Sequence, residues 1–180
     1  MSTPLREAHY QPTGVLNLNF APHSGTSNYR RTLDLNTATV TVRYDYGGVT
    51  YTREFFASNP TNRCLIIRLT ASQSAKISFT ATFTTLQTNF AYSTAGNDLI
   101  MNARVTSKPD AAYWVNPPGM TNAIKFQTRV RVLNEGGSVS SASSSITVAS
   151  RSSNRRCTLR CSRLHSNGPA MTISFSTMTA

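Results

Sequence analysis

Val40-Thr41-Val42-Arg43-Tyr44-Asp45-Tyr46-Gly47-Gly48-Val49-Thr50-Tyr51-Thr52-Arg53-Glu54-Phe55-Phe56 is the most informative run of the chain. Val40, Val42, Tyr44 and Tyr46 alternate with Thr41, Arg43 and Asp45, the period of two that marks a half-buried strand. Gly47-Gly48 supplies two residues free to take positive φ, which a two-residue hairpin turn requires. The return segment is rich in aromatic and β-branched side chains, as strands are. The run therefore predicts a β-hairpin.

The same period extends in both directions. Upstream, Leu16, Leu18 and Phe20 alternate with Asn17 and Asn19. Downstream, Leu65, Ile67 and Leu69 alternate with Ile66 and Arg68. Ile77, Phe79, Ala81 and Phe83 then face away from Ser78, Thr80 and Thr82. A shorter strand, Leu99 to Ala103, follows a turn at Gly96-Asn97-Asp98. Ile124, Phe126, Val130 and Val132 oppose Lys125, Gln127, Arg129 and Arg131. Ser145 to Ala149 closes the series after a Glu135-Gly136-Gly137 turn and a serine-rich stretch. No 3.6-residue apolar pattern persists over three turns. About eight turn-punctuated strands, polar on one face, predict an all-β protein, an antiparallel β-sandwich or barrel.

The composition fits one domain with a core of its own. The chain has 180 residues, 39% of them hydrophobic and only 14% charged, which argues against wholesale disorder. No apolar run approaches the roughly 18 residues of a membrane helix, so no membrane partner is expected. Met1 to Gln11 is polar and does not read as a signal peptide.

Charge is distributed unevenly. Eighteen Lys and Arg stand against seven Asp and Glu, a net +11. All seven acids occur by Glu135, and Arg151, Arg155, Arg156, Arg160 and Arg163 follow with no carboxylate among them. Clustered arginines neutralise phosphates, which raises nucleic acid as a partner. No aromatic interleaves them to stack on bases, so nucleic acid is not the expected partner. Residues 150–180 read instead as a basic Ser/Arg/Cys tail without strand periodicity, off-pattern or disordered, as a frameshifted end would be. Cys64, beside Leu65-Ile66-Ile67, reads as a small buried residue. Cys157, Cys161 and His165 are spaced by four, yet a structural zinc site needs a fourth ligand and none lies nearby, so no metal is expected.

Lys108 to Asn122 breaks the strand pattern with Pro109, Pro117, Pro118 and Gly119, yet carries Tyr113 and Trp114. The two rings are candidate substrate-binding residues, because ring faces stack on sugar C–H surfaces. Alternatively, Trp114 folds back to cap the core. Reaction chemistry is harder to find. A glycosidase needs two carboxyl functions flanking a bond, and Asp34, Asp45, Glu54, Asp98, Asp110 and Glu135 form no local pair. No nucleophile elbow, phosphate loop or dinucleotide fingerprint is present, so no catalytic residue and no cofactor is assigned.

Three consecutive stretches carry a resemblance. They are Tyr10 to Phe20, the segment Asn28-Tyr29-Arg30-Arg31-Thr32-Leu33-Asp34-Leu35-Asn36-Thr37-Ala38, and Gly48 through Ser58. Together with Leu65 to Ala71 and Phe126 to Gly137, they resemble the N-terminal β-sandwich domain of glycoside hydrolase family 95, the 1,2-α-L-fucosidase family. The resemblance covers about residues 8–149 and implies an incomplete accessory domain that starts late and stops early. It further implies that the catalytic groups belong to an (α/α)6 barrel partner matched by nothing here. A fucosylated glycan would be the substrate of the intact parent, and the location would be extracellular. Within the matched strings, Asp34 suits a corner whose side chain caps backbone N–H groups. Arg30 or Arg31 is expected to pair with Asp34 or Glu54 and fix that corner against the hairpin. The alternative, an arginine pair facing a sugar cleft, is less favoured because charges at strand ends usually bond locally.

Overall fold

The structure is a computed structural model that describes residues 13–58, 64–104, 125–149 and 156–165, the last four of these in their backbone alone. Among the described residues there are strands and turns but no helix. The strands are β1 (Val15–Phe20), β2 (Ser27–Asp34), β3 (Thr39–Tyr46), β4 (Val49–Ala57), β5 (Cys64–Ala71) and β6 (Phe79–Thr84). They continue with β7 (Asn89–Ala95), β8 (Asp98–Arg104), β9 (Lys125–Glu135), β10 (Ser138–Ala142), β11 (Ser145–Ala149) and β12 (Arg156–His165). Four form one sheet in the order β1-β6-β11-β10, and eight form the other in the order β2-β3-β4-β5-β12-β9-β8-β7. All pairings are antiparallel. The expected β-sandwich is present.

Alternation decides which residues enter the core. Leu16, Phe79, Ala81, Phe83, Ile146 and Val148 of the smaller sheet pack against Ile67, Leu69, Leu99, Met101, Val130 and Val132 of the larger one. Burying each of these side chains other than Ala81 contributes about 1.5–3 kcal/mol. The Gly47-Gly48 turn has the predicted geometry, with φ of 56° and 72°. The turn at Gly136-Gly137 does something different from a hairpin turn. It carries the chain from β9 in one layer to β10 in the other.

Sequence reading missed four strands. β2 is exposed along its whole length, so it carries no apolar alternation to find. β7 and β10 are exposed or half-buried at nearly every position, for the same reason. β12 is the largest correction, because residues 150–166 read as having no strand. In the structure it lies between β5 and β9 in the middle of the large sheet. Cys157, Leu159 and Cys161 alternate into the core, and Arg156, Thr158 and Arg160 face the other side. Period two was present, but cysteines stood at two of three apolar positions and arginines filled the exposed ones. Residues 150–155 and 166–180 lie outside the described residues.

Candidate functional site

The two-residue turn sets the hairpin register, so Tyr46 faces Val49, Tyr44 faces Tyr51 and Val42 faces Arg53. Tyr44, Tyr46, Tyr51 and Arg53 therefore project from one side. No side chain of β2 or β3 belongs to the inter-sheet core. His23, from the loop after β1, closes the gap. Its ring stacks on Tyr46 at 4.2 Å and 14°, and lies 4.7 Å from Tyr51. Tyr44 and Tyr51 stack at 5.3 Å.

A hydrogen-bond chain runs through the cluster. Arg53 Nη2 donates to Tyr44 Oη at 2.8 Å, and Tyr44 Oη lies 3.2 Å from His23 Nδ1. Arginine can only donate, so the tyrosine oxygen accepts from it, and the imidazole tautomer sets which of Tyr44 Oη and His23 Nδ1 donates to the other. Burial and then the nearby Arg53 charge both hold the His23 pKa below its ordinary value. The guanidinium lies 4.8 Å over Phe20 and 5.2 Å over Tyr44. A cleft of about 90 Å³ opens beside these side chains and Lys76. One face of His23 is taken by Tyr46, with Tyr51 tilted and Tyr44 edge-on against the ring, so the cluster works as a clamp on the hairpin. It is not an open stacking platform.

The carboxylates lie on the opposite, outward side of the large sheet. Asp98 is only 4% exposed. It accepts two hydrogen bonds from Arg131, at 2.7 and 2.8 Å, and pairs with Arg129 at 3.4 Å. The Arg131 hydrogen bonds outweigh its burial and hold its carboxyl below the usual range. Asp34 accepts from the Thr37 hydroxyl and the Asn36 N–H, both at 2.9 Å, and Asp45 accepts from Asn28 at 2.7 Å and Thr50 at 2.6 Å. Both are lowered by these bonds. Glu54 pairs with Arg68 at 3.4 Å, and Glu135 with Arg156 at 3.3 Å. A glycosidic general acid needs a carboxyl pushed up so that it holds its proton near neutrality. The three aspartates are shifted the other way.

The corner at Asp34 is built as expected, with its side chain capping the following turn. The expected pairing of Arg30 or Arg31 with Asp34 or Glu54 is not formed. Glu54 bonds Arg68 across the β4–β5 pair, while Arg30 stands opposite Arg43 and Arg31 opposite Val42. Neighbouring strands in the sheet supplied partners that sequence proximity did not suggest. Tyr113 and Trp114 lie outside the described residues. The Cys157 and Cys161 thiols are pushed up to about 12 by burial, so they are core side chains in protonated form. Cys64 is half-buried, not fully buried as expected. Among the described residues, no three His, Cys, Asp or Glu side chains gather in a metal-binding group.

Sequence reading passed over the His23–Tyr44–Arg53 chain and the buried Asp98. The tyrosine half was within reach, because the glycine turn makes Tyr44 and Tyr51 direct partners. His23 and Arg131 arrive through long-range packing, which has no local signal.

Residues 1–162 match the family model described as "Glycosyl hydrolase family 65, N-terminal domain". The chain belongs to this family. This glycosyl hydrolase N-terminal domain differs in family number from the resemblance drawn above. Its match also runs past Ala149 into β12. Alpha-L-fucosidase 2 of Arabidopsis thaliana is 44% identical over 77 residues, a stretch covering 41% of this chain and 9% of that protein.

Proposed function

We propose that the chain is the accessory β-sandwich of an α-L-fucosidase of the family 95 type, with no hydrolytic activity of its own. The observation that carries this reading is the 44% identity over 77 residues to a plant α-L-fucosidase, in a chain that belongs to a glycosyl hydrolase N-terminal domain family. The lowered aspartates and paired glutamates of the described strands support the second half of the proposal. In an intact parent, an (α/α)6 catalytic domain supplies the general acid and base, acting on a fucosylated glycan outside the cell. The sandwich then contributes a rigid surface for that domain to pack on. The test is fucose release from a 2-O-fucosylated oligosaccharide by the purified chain. No release is expected, and measurable release in a preparation free of other hydrolases overturns the proposal.

A further inference from the structure

The outward face of the large sheet carries three places where two cations stand directly opposite each other on neighbouring strands. Arg30 faces Arg43 on β2 and β3, Arg160 faces Arg131 on β12 and β9, and Arg104 faces Lys125 on β8 and β9. All lie on one surface, the one that also carries Asp34, Asp45, Glu54, Asp98 and Glu135, because Met101, Phe126 and Leu159 enter the core with the opposite parity on their strands and Arg43 alternates with the buried Tyr44. Like charges directly opposite in a sheet are destabilising. Arg131 is offset by Asp98. Arg30, Arg43, Arg160, Arg104 and Lys125 make no ion pair among the described residues. Edge protection accounts for charge on β2, which borders the sheet. It does not account for Arg160 and Arg131, which lie in the interior of the sheet.

We infer that this face binds a carboxylated polysaccharide, a polyuronate, whose carboxylates bridge the facing cations. Guanidinium forks match carboxylates in two-point geometry. Adjacent strands lie about 4.8 Å apart, close to the length of one pyranose ring, so two neighbouring uronates running across the strands meet the two members of a facing pair. Nucleic acid fits less well, because binding single strands uses open rings for base stacking. On this face Arg68 already covers Phe56, at 5.8 Å from the ring centre. The choice of a polysaccharide rests on the glycosidase reading, and fucose release tests that reading separately.

The experiment is affinity electrophoresis of the full chain through gels containing polygalacturonate, neutral dextran or DNA. Stronger retardation by polygalacturonate than by DNA, with none by dextran, is expected, weakening about tenfold as salt rises from about 50 to 300 mM. An R43Q/R160Q variant is expected to bind at least about threefold more weakly while melting no lower than the parent, since it removes like-charge contacts. Absence of retardation by polygalacturonate, stronger retardation by DNA, or equal retardation of the folded variant each overturns the inference.

Discussion

His23 shows how a single side chain can couple the fold to pH. Its pKa is lowered in the folded state, from an ordinary value of 6.5. The unfolded chain therefore binds the proton more readily, and stability present above about pH 6.5 is lost as pH falls toward the folded value. Urea midpoints taken between pH 7.5 and 5 should fall for the parent. They should fall less for His23→Gln, in which the titrating group is gone. Asp34, Asp45 and Asp98 are also lowered, but their loss belongs to more acid solution. Asp98→Asn makes a second test. It leaves Arg129 and Arg131 without their shared counter-charge, beside Arg160. Because Arg131 is 54% exposed, the expected loss is about 2 kcal/mol, less than the 3–5 of a fully buried pair. Denaturant unfolding reads it directly. The Asp34 cap was legible because an Asx turn is local chemistry. Arg131 as the partner of Asp98 was not, because it comes from a strand 33 residues away.

The elements divide in the same way. β1, β3, β4, β5, β6, β8, β9 and β11 concentrate their apolar residues on one side, and each announced itself through that contrast. β2, the edge strand, takes its place from the β3 register and from a bulge. At that bulge Asn28 adopts a positive φ of 51° and bonds Asp45. Nothing in its own alternation required that. β12 is the sharper case, since its core contacts are made by Cys157, Leu159 and Cys161. Leu159→Ala should cost about 2–5 kcal/mol, a cavity in a fully buried site, and a thermal or denaturant melt measures it. Native thiol labelling at pH 8 should spare Cys157 and Cys161 until denaturant is added, because both thiols are buried and protonated there. Fast labelling of either in the folded protein would remove β12 from the core.

At the scale of the whole molecule, the sandwich class followed from period two and glycine turns, while the order of strands did not. Pairing β12 between β5 and β9 joins segments far apart in the sequence, and local patterns carry no information about such closures. The arrangement has a consequence for how the chain is made. β2 through β5 form one meander and β7 through β9 another, and the two share no direct strand pairing. Each can zip up as it leaves the ribosome. They become a single sheet only when residues 156–165 emerge and slot between them. Until then, two long strand borders stand open on a nascent polypeptide, a period in which chaperone binding or premature association competes with completion.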